Sequence, residues 1–322
     1  MATGDIISAA RYNFIQGRIA ALLGPGSGDK GYNNTVASFS VPVGNEITAA
    51  HMNNLKTDYT SIYVHLFGSL PGGLIAQDVS TRVVSSETGL VWDDLYAEYE
   101  FYLPNLETNR FAIDPDYAAL ESSGINSTRA TVWGGTALPQ SITHEFTVSF
   151  TTTNARRGFF NAGGEIRFSA NLTHSLSPSD PDYQKTVDWA AMLTAMQTVK
   201  FNYTSTNSYN LNGTGEDVSD DVVNGAGTGT SIGNLDLTTS YQTLYTKTGS
   251  GVYSDNLYTI QAKLDNDSRI RFLITFNDGD VGVGGADERV NGTLVSSISH
   301  LRADGGIYVS NAAPTYSLVS GL

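Results

Sequence analysis

Apolar and polar residues recur with two different periods along this chain, and the change of period divides it. Near the start, Tyr12, Ile15, Ile19 and Leu22 fall three or four residues apart, as do Leu55, Tyr59, Ile62 and Leu66. Each set makes one apolar stripe of a helix. The first stripe stops at Gly24-Pro25 and the second at Gly68. A third helix is expected near 90–110, where Val91, Leu95, Tyr99 and Tyr102 share a side and Pro104 would end or kink it. From residue 141 the period becomes two. Phe146, Val148 and Phe150 alternate with polar residues, then Ile166, Phe168 and Ala170, then Val199, Phe201 and Tyr203. Tyr258 to Leu264 and Ile270 to Phe276 follow, with weaker runs at 241–247, 290–298 and 306–309. Such alternation marks strands with one face in a core. Val187 to Leu193 reads as a helix set among them, and the Gly-, Asn- and Asp-rich stretch 205–234 as a long surface excursion.

The pattern therefore predicts an α+β, mainly β chain. A helical N-terminal region with a duplicated helix motif covers 1–68, a connector 69–140, and an antiparallel β-sandwich 141–322. The duplication is explicit. Gly4 to Ile15 aligns with Gly44 to Leu55 at an offset of 40 residues, sharing Gly-x-x-Ile-(Ser/Thr)-Ala-Ala-x-x-Asn-x-(Ile/Leu). Ser8 or Thr48 can cap a helix by accepting from its first free amides. The preceding Ile can staple onto the first turn. The two stripes must be buried against each other or against a neighbouring subunit. If they are interfaces, Ile15, Ile19, Leu55 and Ile62 carry the association.

Composition narrows the function classes. The 322 residues are 40% hydrophobic but only 16% charged, and 33 glycines with 17 tyrosines and 13 phenylalanines suit short strands and many turns. The net charge of -14 would be repelled by phosphate backbones, which argues against nucleic-acid binding. With no cysteine, disulfides, thiolate metal sites and Cys nucleophiles are excluded. No apolar run is long enough to span a membrane as a helix. No basic-plus-apolar leader opens the sequence, consistent with folding in a reducing cytosol.

Candidate chemistry is sparse. The histidines at 51, 65, 144, 174 and 300 show no short metal-ligand spacing and read as edge or surface residues. Gly229-Thr230-Ser231-Ile232-Gly233 has the spelling of a hydrolase nucleophile elbow, yet a coil precedes it and Thr-rich sequence follows. Asn277-Asp278-Gly279-Asp280, with Asp287-Glu288 nearby, could gather oxygens around a cation but reads first as an acidic turn. Arg156-Arg157, between two strands, reads as a solvated turn, an inter-subunit ion pair or an anion site. No catalytic residue, cofactor or metal is assigned.

One stretch carries more information. Trp133-Gly134-Gly135-Thr136 leads through Ile142-Thr143-His144-Glu145-Phe146-Thr147-Val148-Ser149-Phe150 to Asn154-Ala155-Arg156-Arg157-Gly158-Phe159-Phe160-Asn161-Ala162-Gly163-Gly164-Glu165-Ile166-Arg167-Phe168. It resembles predicted virion structural proteins of tailed cyanophages and related marine phages. The likeness extends to Asp188-Trp189, Thr238 to Tyr245 and Asp287 to Leu294, with the Arg-Arg-Gly-Phe-Phe-Asn-Ala-Gly-Gly-Glu-Ile-Arg-Phe core the most specific part. The resemblance implies a virion component with no activity, cofactor or functional residues to carry over, and does not place it within the particle; a non-enzymatic subunit made in the bacterial cytoplasm and sited in the tail, baseplate or fibres is the expectation. Its expected partners are copies of itself, a trimer being favoured, and other virion proteins. The alternatives are a capsid or neck decoration protein and a module binding a host-surface glycan, for which Tyr209, Tyr241 and Tyr253 are the natural stacking residues.

Overall fold

The computed structural model describes residues 9–71, 93–121, 124–211, 217–222, 226–279 and 287–322. The chain forms two compact units. The first comprises Met1–Ala119, Arg157–Gly164 and Arg302–Ala312, and the second Leu120–Arg156, Glu165–Leu301 and Ala313–Leu322.

The helices of the first unit are α1 (Ala9–Leu23), α2 (Ala49–Phe67) and α3 (Asp93–Thr108). Thr48 caps α2: its side chain accepts from the His51 amide, and the His51 ring reaches back to the Thr48 amide at 3.0 Å. The equivalent Ser8 and Val91 lie outside the described residues. The apolar stripes meet in one core, where Tyr12, Ile15, Ile19, Leu55, Tyr59, Ile62, Tyr99 and Leu103 have no exposed surface. The four isoleucine and leucine positions expected at a subunit interface, Ile15, Ile19, Leu55 and Ile62, are thus enclosed within one chain and present nothing to a second copy. α3, expected in the connector, packs with α1 and α2 in this unit and runs through Pro104 to Thr108.

Polar residues on the buried sides have a defined task. The segment after α1 first bonds back to the end of that helix, Tyr32 to the Leu22 carbonyl and Asn34 to that of Leu23, and from Ala37 onward side chains supply backbone bonds. Asn13 exchanges two 2.8 Å bonds with the backbone of Val41. The Asp58 carboxylate accepts from the amides of Ala37 and Ser38 at 2.9 and 2.8 Å. α1 and α3 run in the same direction, tied by paired Arg11–Glu100 and Arg18–Glu107 contacts.

The second unit is a sandwich of antiparallel sheets. One sheet has the order β1-β12-β4-β5-β6-β7, with β2 also pairing β12. Its strands are β1 (Ala118–Glu121), β2 (Asn126–Arg129), β4 (Glu165–Thr173), β5 (Thr198–Phe201), β6 (Thr206–Leu211), β7 (Asp217–Val222) and β12 (Thr293–Ala303). The other sheet has the order β13-β3-β11-β10-β9-β8. It is built from β3 (Ser141–Ser149), β8 (Thr228–Gly229), β9 (Gln242–Thr248), β10 (Leu257–Asn266), β11 (Arg269–Asn277) and β13 (Thr315–Ser320). The faces meet through Phe272, whose ring lies 5.2 Å from Phe168 and 5.3 Å from Phe201. α5 (Tyr183–Met196) packs on β4 in the same unit.

Three sequence readings change here. The expected excursion over 205–234 contains β6, β7 and β8. The expected run at 306–309 is a turn around Gly306 (φ 61°), and the final strand lies further on, at β13. Arg156-Arg157 sits in a helix, α4 (Thr153–Asn161), which Thr152 opens by accepting from the Ala155 amide at 3.0 Å. Gly158 hides this helix from a propensity argument. It is needed because a Cβ there would sit 2.6 Å from the Tyr32 carbonyl oxygen.

Candidate functional site

The densest polar cluster lies in the sandwich unit. Lys185, on the first turn of α5, is set by the helix start: Asp180 turns the chain by accepting from the Asp182 amide at 3.0 Å. The Lys185 ammonium lies 3.1 Å from Asp278 Oδ1 and 3.2 Å from Oδ2, and donates to the Glu288 carbonyl at 2.9 Å. Asp278, just beyond β11, also accepts from the Gly135 amide at 2.8 Å. With its amide turned to donate, Asn256 bonds Asp278 Oδ1 at 2.8 Å and accepts from the Trp189 ring nitrogen at 3.1 Å. The Glu288 carboxylate bonds the Tyr253 hydroxyl at 2.5 Å. Trp133 stands 4.9 Å from Trp189 and closes the cluster with an apolar wall.

Gly134 and Gly135 both adopt positive φ (76° and 72°), and a Cβ on Gly134 would overlap the Asp278 carboxylate. The Trp-Gly-Gly-Thr stretch thus has a physical reason for its glycines: the loop must approach a buried charge closely enough for its amide to bond it.

The acidic turn at 277–280 does hold a cation, and that cation is the chain's own Lys185. Asp280 lies outside the described residues. Asp287 is engaged elsewhere, accepting from the Thr136 amide at 2.6 Å. Among the described residues no group of three or more His, Asp or Glu could hold a metal ion. Chemically the cluster is saturated: neither Lys185 nor Asp278 has exposed surface for a substrate to meet. It fixes α5, the end of β11 and the Gly134-Gly135 loop to one another.

The arginine pair, half-buried, bonds the chain's own backbone and side chains. Arg156 donates to the Asp267 carbonyl at 2.8 Å and to Asn234, and Arg157 to the Pro25 carbonyl at 3.0 Å. These contacts replace the expected solvated turn. Of the three tyrosines nominated for sugar stacking, Tyr253 is buried. The other two carry a lysine over the ring, Lys200 at 3.9 Å from the Tyr209 centroid and Lys263 at 4.5 Å from Tyr241. Ser231 is exposed and preceded by a two-residue strand.

Three histidines expected at the surface are buried. His65 is enclosed among the helices, 5.2 Å from the Tyr32 ring, and burial pushes it down to about 3. His144 bonds Ser296 of the facing sheet at 3.0 Å, and burial pushes it down to about 4. His300 bonds the Tyr316 hydroxyl at 2.9 Å, pinning β13 from inside, and burial raises the Tyr316 phenol above its ordinary value. Ile142 and Phe146 flank His144 at period two and Ile298 precedes His300, the one signal that could have placed these two inward.

The accessible features are apolar. On the helical unit, Phe14 of α1 and Phe101 of α3 are 56% and 75% exposed. Phe14 lies between the Arg11 and Arg18 pairs, with the Arg18 guanidinium 5.3 Å from its ring centre. On the sandwich unit, Leu318 and Val319 stand exposed on the edge strand β13. No family model, curated protein or solved structure matches the chain.

Proposed function

We propose that this chain is a non-enzymatic structural subunit of a tailed bacteriophage particle, placed in the tail, baseplate or fibres and working by packing against other particle proteins. The sequence resemblance around Arg156 to Phe168 supplies the phage setting. The structural observation that carries the packing role is the exposure of Phe14 and Phe101 on two adjacent helices. Large aromatic side chains left in water, one of them beside an arginine, have the composition of protein-binding surfaces. The groups that looked most like chemistry are turned toward the chain's own atoms, at Lys185–Asp278 and at Arg156 and Arg157.

The test is direct. An antibody against the purified chain should label particles of the phage that encodes it, and the position of the label separates tail from capsid or neck. Particles lacking the chain overturn the reading. Substituting Phe14 and Phe101 by serine should leave the isolated chain folded and lower its incorporation at least tenfold.

A further inference from the structure

A chain without cysteine has no disulfide to lock its fold, yet this one brings together the two halves of another covalent bond. An amine and a carboxyl condense to an amide when they are held in contact, shielded from water and better off without their charges. Lys185 and Asp278 meet each requirement. The Lys185 Nζ lies 3.1 Å from Asp278 Oδ1 and 3.2 Å from Oδ2. An atom that close to both oxygens stands roughly 3–3.5 Å from the carbon between them, the separation of a near-attack arrangement. Neither side chain has exposed surface. Two buried ions carry a hydration penalty that a neutral amide does not.

The partners of the pair are those that such a reaction uses. The Gly135 amide donates to Asp278 Oδ2 at 2.8 Å, and the Asn256 amide, in its donating orientation, to Oδ1 at 2.8 Å. Donors placed there draw electrons from the carboxyl carbon and stabilise the oxyanion that forms when it is attacked. The Glu288 carbonyl accepts from Nζ at 2.9 Å and holds it over the carboxyl. The same residue keeps its carboxylate buried, bonded to the Tyr253 hydroxyl at 2.5 Å.

We propose that Lys185 and Asp278 join within the folded chain by an amide bond between Nζ and Cγ, formed by the chain's own groups. One proton passes from the ammonium to Oδ1, leaving a neutral amine and a carboxylic acid. The Nζ lone pair attacks Cγ, and negative charge collects on Oδ2 under the Gly135 amide. Nζ then gives a second proton to Oδ1, with the Glu288 carboxylate as its carrier, and the Cγ–Oδ1 bond breaks. The products are one amide and one water, and nothing else is consumed. The new N–H keeps the Glu288 carbonyl as its acceptor, and Oδ2 keeps the Gly135 amide. The bond ties α5 to the end of β11 across 93 residues of sequence, and holds the sandwich as a disulfide would, by restricting the unfolded chain.

The experiment is mass spectrometry of the purified full chain, first intact under denaturing conditions and then after trypsin. The expected mass is that of the sequence less one water. The expected digest holds a branched peptide that joins 168–200, uncut after Lys185, to 272–289. The digest is needed because Asp278 precedes Gly279, and a cyclic imide within that pair would also release one water. An imide leaves Lys185 open to trypsin and overturns the proposal. Lys185→Arg keeps the cation and with it the ion pair, and should restore the full mass. Glu288→Gln keeps the carbonyl that holds Nζ and should slow joining, followed from synthesis onward, at least tenfold; an unchanged rate overturns the role given to Glu288. An unaltered chain that still has its full sequence mass after days at neutral pH, or a lost water that persists in Lys185→Arg, overturns the proposal. The bond is read on the chain alone, so it stands or falls separately from the labelling of phage particles.

Discussion

Lys185 and Asp278 form an ion pair 3.1 Å long in which neither side chain has any exposed surface. Burying two charges costs several kcal/mol each in lost hydration, and the Gly135 amide, the Asn256 amide and the Glu288 carbonyl offset part of that cost. Removing one partner leaves the other uncompensated. Lys185→Met should therefore destabilise the sandwich unit by about 3–5 kcal/mol, and Asp278→Leu by a similar amount. The double variant should be well short of the sum, because no lone charge remains. Urea titrations of the three variants check this; additive losses would show that the two residues do not act as a pair.

The buried histidines give the stability a pH dependence of definite sign. His65 and His144 titrate at about 3 and about 4 in the folded chain, against 6.5 for a free imidazole. Below 6.5 the unfolded chain takes up protons that the folded one refuses, so stability is full above that value and falls as pH drops toward 4 and then 3. Each histidine should cost about 1 kcal/mol between roughly pH 6.5 and 5.5. Urea midpoints at the two pH values, compared with those of His65→Leu, test it. The variant should lose the share due to the helical unit, and an unchanged slope would remove His65 from the account.

The elements legible in the sequence were those whose stripe or alternation faces a core. Tyr12-Ile15-Ile19-Leu22 and Ile270-Phe272-Ile274-Phe276 are examples, and all eight side chains are fully buried. β13 was missed because an edge strand with Leu318 and Val319 both exposed has no alternation to read. α4 was missed because Gly158 answers to a distant carbonyl. The Lys185 cluster could not be assembled from sequence, since its members at 135, 185, 256, 278 and 288 are brought together only by the sheets. What the sequence did carry was the acidic turn itself; that Lys185 is the charge facing Asp278 only the fold could show.

Gln197 follows α5 with φ 57° and ψ −141°, a region that residues with a Cβ occupy under strain. Its amide bond to the Thr194 carbonyl, 3.2 Å long and exposed, returns little of that strain. Gln197→Gly removes the Cβ and should raise stability by about 1 kcal/mol, even though glycine loosens the unfolded chain. A higher urea midpoint with an unchanged slope is the expected result. A lower midpoint would mean that the side-chain bond outweighs the backbone strain.

The Arg18–Glu107 pair tests how much surface charge contributes to the helical unit. Its two bonds, 3.0 and 2.7 Å, have bidentate geometry, and the arginine holds the Glu107 carboxyl below its usual range. Both side chains keep about a quarter of their surface in water, at 26% and 25%, so water and salt screen the attraction. A double-mutant cycle with Arg18→Met and Glu107→Gln should give a coupling of about 0.5–1 kcal/mol at low salt, shrinking toward zero near 1 M salt. Since the depressed carboxyl favours the folded chain only while ionised, the coupling should be present at neutral pH and disappear as pH falls below the ordinary glutamate value. A coupling that survives high salt would make the pair part of the core rather than of its surface. Phe14, which stacks on the same arginine, would then be fixed in place as well as exposed, a rigid aromatic anchor for whatever protein covers it.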